Sequence, residues 1–206
     1  MLKKIFVLTL CALMLLTSAM AEEWADVDRT QPLNMEHDMG LYVGGTWYPI
    51  LNYFEYLPDL LNEVDPDDPF YDVYVSFSET SGLHRALGEE LDSIASPSCG
   101  YKGEDIEYLF DGMSIYTNPL GDYQLWFEAY ITGGDWVTSR GIGIGSSLDD
   151  VKAAYGEPQE DDGDYITYFI TDENGEYKII ESPQIMFGID DNGVNLIDIY
   201  YPTNTL

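Results

Sequence analysis

The sequence predicts an α+β protein built as a tandem duplication of one unit, a helix followed by a three-stranded antiparallel sheet. Three observations carry that expectation. First, SLDDVKAAYGEP (Ser147–Pro158) holds the local signals of a two-turn helix. Ser147 is a capping residue with Asp150 as its reciprocal partner, Gly156 supplies a left-handed stop, and Pro158 bars continuation. Leu148, Val151 and Tyr155 fall on one apolar face. Second, LHRALGEE (Leu83–Glu90) aligns with VKAAYGEP (Val151–Pro158), matching Leu83 with Val151, Ala86 with Ala154, Leu87 with Tyr155, Gly88 with Gly156 and Glu89 with Glu157. Third, each helix–turn is followed by three strand-like runs with period-two alternation.

After Gly88 these runs are EDIEYLF, GMSIYT and YQLWFEAYI, the first two separated by a turn at Asp111-Gly112. After Gly156 they are YITYFI, IMFGI and VNLIDIYY, with Asp191-Asn192-Gly193 as a hairpin turn between the last two. Asp172–Gly175 reads as another turn, and Tyr177–Ile180 as a short extra strand. Upstream, LYVGGTWYPI (Leu41–Ile50) reads as a strand pair around Gly44-Gly45. Tyr53–Val64 reads as a helix, with Leu57, Leu60, Leu61 and Val64 on one face, and Val73–Phe77 as a strand. A repeat of about seventy residues is too long for a solenoid and suits a duplication. The expected division is 1–21 signal peptide, 22–40 flexible N-terminal segment, 41–134 first unit with an insertion, and 135–206 second unit.

The opening MLKKIFVLTLCALMLLTSAMA has a basic n-region at Lys3 and Lys4, an apolar run, and an Ala19-Met20-Ala21 cleavage site. A secreted protein cut after Ala21 is expected. Cys11 follows Leu10, where a lipoprotein signal needs a small residue, so lipidation at Cys11 is not expected. Cleavage leaves Cys99 alone, which excludes an intramolecular disulfide, and a buried inert thiol is expected there.

Eight Lys and Arg stand against 38 Asp and Glu, a net charge of −30. Such a surface repels nucleic acid phosphates and anionic lipid, and suits a basic protein partner or a divalent cation. Glu36-His37-Asp38 is the one carboxylate–imidazole cluster, and a plain polar loop explains it as well as a metal does. Asp65-Asp67-Asp68, Asp161-Asp162-Asp164 and Asp190-Asp191 could hold calcium, but none follows the twelve-residue calcium-loop pattern, and turn chemistry accounts for most of them. No cofactor is expected. No G-x-S-x-G is present, and neither His37 nor His84 sits near a recognisable nucleophile, so no catalytic residue is assigned.

Four Trp and 17 Tyr are many for this length. On Tyr123–Ile131 the odd positions should face the helices, leaving Trp126, Glu128 and Tyr130 together on the opposite face. These three are the candidate binding residues, since Trp and Tyr enrich at interfaces.

The segment GSSLDDVKAAYGEP, preceded by a Gly-Ile-Gly strand, resembles tandem-repeat secreted bacterial proteins with the architecture of the β-lactamase inhibitory protein. More loosely it resembles the small lipoproteins of outer-membrane assembly. SPSCGYKGEDIEYLFDGMSIYT (Ser96–Thr117) with TSRGIGIGSSLDDVKAAYG looks like a group of secreted or lipid-anchored bacterial proteins of unknown function. The resemblance covers Leu83–Tyr201. It implies a non-enzymatic fold whose sheet surfaces contact proteins. This chain departs from it in lacking the inhibitor's disulfides and the lipoproteins' lipobox, and no inhibitory loop carries over. The expected function is therefore a secreted, non-catalytic protein-binding module, of which an inhibitor-like protein would be one kind. The alternatives are a glycan- or cell-wall-binding module using Trp47 and Trp136, and an extracellular hydrolase using unrecognised carboxylates.

Overall fold

The computed structural model describes residues 32–51, 53–56, 82–121 and 123–203. The expected signal segment, Trp24, the helix face from Leu57 to Val64, the acidic loop 65–72 and the strand 73–77 lie outside the described residues.

The chain opens on a hairpin of β1 (Gly40–Val43) and β2 (Thr46–Pro49), in which Val43 pairs with Thr46. Gly44 and Gly45 have φ of 60° and 84°, the left-handed pair that a two-residue turn between twisted strands requires. Next is β3 (Tyr53–Tyr56), a strand where the sequence predicts the first turn of a helix. Then come α1 (Leu83–Leu87), β4 (Asp92–Pro97), β5 (Glu104–Phe110), β6 (Met113–Leu120) and β7 (Tyr123–Ile131). The last part holds α2 (Leu148–Tyr155), β8 (Glu160–Asp161), β9 (Tyr165–Phe169), β10 (Gln184–Asp190) and β11 (Gly193–Tyr200). Tyr177–Ile180, expected as a short strand, is not one.

The expected fold class does not hold. The described residues form eleven strands and only two helices, of five and eight residues. Nine of the strands make one antiparallel sheet in the order β4-β5-β6-β7-β11-β10-β9-β8, with β3 also on β7. The protein is mostly β, and it is not a pair of helix-plus-three-strand units. Two physical causes account for the difference. Asp92–Pro97 (DSIASP) is exposed along its whole length, so no alternation announced it, yet it pairs residue for residue with β5. In addition, β7 has no free edge at which a unit could end. Its Glu128–Ile131 stretch pairs with β11, and its Tyr123–Leu125 stretch pairs with β3 on the same side.

One face of the sheet carries the core. Ile115, Ala129, Ile131, Ile185, Phe187, Ile197 and Ile199 are buried there with Leu83 of α1, Val151 and Tyr155 of α2, and Leu41 of the hairpin. The start of α2 forms as its sequence predicts. Ser147 Oγ accepts from Asp150 N–H at 3.1 Å, and Ser147 N–H donates to Asp150 Oδ2 at 3.1 Å. Gly156, at φ 83°, ends the helix with its N–H on the Lys152 carbonyl. The buried stripe is Val151, Ala154 and Tyr155, while Leu148, expected on it, is 36% exposed.

A buried ion pair ties the N-terminal part to this helix. Arg140 Nε and Nη2 each donate to the Asp38 carboxylate at 2.7 Å, and Ser139 Oγ donates to it at 3.0 Å. Arg140 Nη1 reaches the Ala154 carbonyl, and its guanidinium lies 4.8 Å from the Tyr155 ring centre. Asp38, which the sequence places in a polar lead-in, is thus a buried member of the fold.

Candidate functional site

The site is the sheet face turned away from the helices, and its layout follows from one irregularity in β7. Tyr116 pairs with Glu128, but the next residue, Thr117, pairs with Trp126, so Phe127 is an extra residue opposite β6. Such a bulge shifts the alternation by one. On its N-terminal side Trp126 points into the core; on its C-terminal side Ala129 and Ile131 do. Glu128 and Tyr130 therefore share the outer face, and Trp126 does not. Trp126 is fully buried, and its indole N–H has no hydrogen-bond partner among the described residues. This corrects the expected shared face of Trp126, Glu128 and Tyr130.

Cross-strand register places the neighbours of Glu128 and Tyr130. On β11, Asp198 stands opposite Tyr130, and Tyr200 opposite Glu128. On β6, Ser114 stands opposite Tyr130, and Tyr116 opposite Glu128, with Glu107 of β5 beyond Tyr116. The β7–β11 ladder thus carries a checkerboard in which the two carboxylates and the two tyrosines each occupy a diagonal. Directly opposed side chains touch, and diagonal ones stand about 7–8 Å apart.

Four groups here, Tyr116, Glu128, Asp198 and Tyr200, are pushed toward their neutral forms. Burial, and then the charge of Glu107, raises the Glu128 carboxyl to about 7. Burial, and then the charge of Glu128, raises Asp198 to about 8. Asp198 is only 7% exposed, and its buried Oδ1 has no hydrogen-bond partner among the described residues. The Tyr116 hydroxyl donates to Glu107 Oε1 at 2.8 Å, and burial together with that bond raises its phenol. Tyr200 is raised by burial and by the charges of Glu128 and Asp198. No Lys or Arg among the described residues acts on Glu128 or Asp198. Two carboxylates held this way can donate a hydrogen bond when neutral, exchange a proton near neutrality, or receive a cation when ionised.

Of this cluster the sequence singled out Glu128 and Tyr130 and missed Glu107, Tyr116, Asp198 and Tyr200. A signal for Asp198 was present. It is a lone carboxylate between Ile197 and Ile199 in the middle of an apolar strand, where Asp is disfavoured.

The other motifs lie elsewhere. Trp47 is half-buried with its ring 4.9 Å from that of Tyr42, and Trp136 packs against the core. His37 is exposed, but Asp38 beside it is engaged by Arg140, which leaves that cluster without its third ligand. His84 Nε2 meets Glu90 Oε2 at 2.6 Å, and its ring stacks on Phe54. Of the supposed calcium clusters, Asp65, Asp67 and Asp68 lie outside the described residues, and Asp161, Asp162 and Asp190 cap turns. Asp161 accepts from Gly163 N–H, Asp162 from the N–H groups of Asp164 and Tyr165, and Asp190 from Asn192 N–H. Among the described residues no group of three or more His, Cys, Asp or Glu converges as a metal ligand set. Cys99, expected to be buried, is exposed.

The chain matches no protein-family model, no curated protein and no solved structure. The resemblance to the inhibitory-protein architecture draws no support from these comparisons.

Proposed function

We propose that this chain is an exported, non-catalytic protein-binding module whose binding surface is the outer face of the large sheet around Glu128, Tyr130, Asp198 and Tyr200. One observation carries the reading. The Glu128 and Asp198 carboxyls on this face are withdrawn from water with no partner cation among the described residues. Burying a carboxylate in this way costs stability, and such costs concentrate at sites of binding or chemistry. Tyrosines around the carboxylates supply rigid contact area with a polar tip, as interface centres do.

The binding reading is separated from the hydrolase reading by comparing the natural protein with Tyr130→Ala, Glu128→Gln and the remote variant Glu173→Gln. A protein retained from bacterial-surface or host extracts is identified, purified and titrated against all four. Tyr130→Ala and Glu128→Gln are expected to weaken its affinity at least about tenfold, the scale of an interface hot spot, with Glu173→Gln unchanged. Equal affinity across the four proteins would place the site elsewhere. Turnover of an extracellular polymer that disappears in Glu128→Gln would replace the binding reading with the catalytic one.

A further inference from the structure

We infer that the Glu128–Asp198 diagonal is a seat for one arginine side chain of a basic protein partner. The inference rests on the binding role proposed for this face and names the chemistry of what docks there. The starting observation is the unpartnered Asp198 oxygen. Asp198 stands in the middle of β11, 7% exposed, with Oδ1 out of reach of any donor in the described chain. A buried acceptor left open is costly, and the cost is recovered when a donor arrives.

The surroundings specify which donor fits. Glu128 lies on the diagonal from Asp198, so two carboxylates face the same space from adjacent strands. Tyr130 and Tyr200 occupy the other diagonal and present ring surface beside it. A guanidinium is planar, offers donors on more than one edge, bridges acceptors several ångströms apart, and stacks on aromatic rings. An ammonium can satisfy one carboxylate but presents no plane to the tyrosines. A metal ion would need converging ligands, and no such set forms among the described residues. Three of the described cations are engaged elsewhere. Arg140 is buried on Asp38, Lys152 pairs with Glu157 and Lys178 with Glu181. A net charge of −30 steers a basic segment toward the protein, and the diagonal gives one of its arginines a fixed place.

The seat has a built-in dependence on pH. Among the described residues the titratable groups facing it are Glu107 from β5, Tyr116 from β6, Glu128 and Tyr130 from β7, and Asp198 and Tyr200 from β11; Met186, opposite Asp198 on β10, does not titrate. Tyr116 and Tyr200 are raised and stay neutral through the physiological range. Glu128 at about 7 and Asp198 at about 8 pass from mostly neutral to mostly ionised between pH 6 and pH 9. The guanidinium keeps its charge throughout, so with a peptide's α-amino group acetylated any change in affinity over that range comes from the protein.

The test titrates the purified chain by calorimetry with three N-acetylated synthetic peptides that differ at one position, Arg, Lys or the uncharged isostere citrulline, in a Gly-Tyr-Gly-rich context. Measurements at pH 6 and pH 9 are made in about 0.15 M NaCl, where exposed charges are largely screened. The Arg peptide is expected to bind about tenfold or more tighter at pH 9 than at pH 6, and tighter than the Lys peptide, with citrulline weaker by at least about tenfold at pH 9. Asp198→Asn and Glu128→Gln should each remove most of the pH dependence, while Glu173→Gln keeps it. Asp198→Asn mimics the neutral acid that the fold already favours, and circular dichroism checks that it remains folded. Citrulline binding as well as arginine, or an unchanged pH dependence in Asp198→Asn, overturns the arginine seat. If a captured partner still needs Tyr130 under those outcomes, the binding face stands and only its cationic occupant is wrong.

Discussion

Asp198 is a carboxylic acid in surroundings that favour its neutral form, and this has a consequence for stability as well as for binding. Its folded pKa of about 8 lies above the ordinary value of 3.8. A raised acid contributes stability that is fully present below the unfolded pKa, near pH 4, and lost as pH rises toward 8. Glu128, raised to about 7, acts with the same sign. The natural protein should therefore lose stability between pH 5 and pH 9 by more than Asp198→Asn does, since the amide cannot ionise. The difference at pH 9 is expected to be on the order of 2–3 kcal/mol in favour of Asp198→Asn, read from urea unfolding at both pH values. Equal pH slopes for the two proteins would show that Asp198 is ionised in the folded state at no cost. Residues of this kind were only partly legible in the sequence. Glu128 and Tyr130 could be assigned to one face by alternation, but the burial of Asp198 arises from neighbours on β7 and β10 that meet it only once the sheet forms. The same holds for Asp38, whose partner Arg140 lies far along the chain and carries no local signal.

At the level of elements, local chemistry was read correctly and the pairing of strands was not. The helix Leu148–Tyr155, the Gly44-Gly45 hairpin and the turns at Asp111-Gly112 and Asp191-Asn192 are set by a few adjacent residues, and such signals are visible in a sequence. Tyr53–Tyr56 became a strand because the free stretch of β7 offers it backbone partners, a long-range cause that overrides a helical pattern. The bulge at Phe127 is the clearest loss. A run of nine alternating residues hides one extra position, and everything beyond it changes face relative to Trp126. Deleting Phe127 removes the extra residue and leaves strict alternation in which Trp126 still points inward and Glu128 and Tyr130 still point outward. The deletion forfeits the Phe127 side chain and the carbonyl that accepts from Tyr201 N–H, and is expected to cost about 2–4 kcal/mol, against roughly 1–2 kcal/mol for Phe127→Ala, which keeps that carbonyl. Urea unfolding followed by Trp fluorescence measures both. A folded deletion variant whose Trp emission shifts to the red would mean that Trp126 has turned outward and that strict alternation does not reproduce the face assignment.

For the whole molecule, acidity is the property that the sequence states most plainly and the fold does least to relieve. Thirty-eight carboxylates share the chain with eight basic side chains, and one of those eight is spent on the buried Asp38. The Lys152–Glu157 and Lys178–Glu181 pairs lie at the surface and add little. Turn-capping aspartates hold their charge through backbone N–H groups; Asp172 and Asp190 are lowered mainly by such bonds. The folded protein thus concentrates negative charge that the expanded chain would disperse, and self-repulsion lowers its stability. Screening should reverse part of that loss. At about 0.01 M ionic strength the Debye length is about 30 Å, so charges interact across the whole molecule, whereas at about 0.15 M it is about 8 Å. Raising NaCl over that interval at pH 7.5 should lift the unfolding temperature by about 5 °C, and the same step at pH 4.5, where more carboxylates are neutral, should lift it by less. Differential scanning calorimetry in NaCl and in KCl separates screening from ion-specific binding, since both salts must act alike. A midpoint that does not rise at pH 7.5, or rises equally at both pH values, would mean that the carboxylates are spaced widely enough for repulsion to be negligible. The electrostatic steering of a basic partner toward the outer sheet face would then lose its long-range basis, leaving only the contacts at Glu128 and Asp198 to select it.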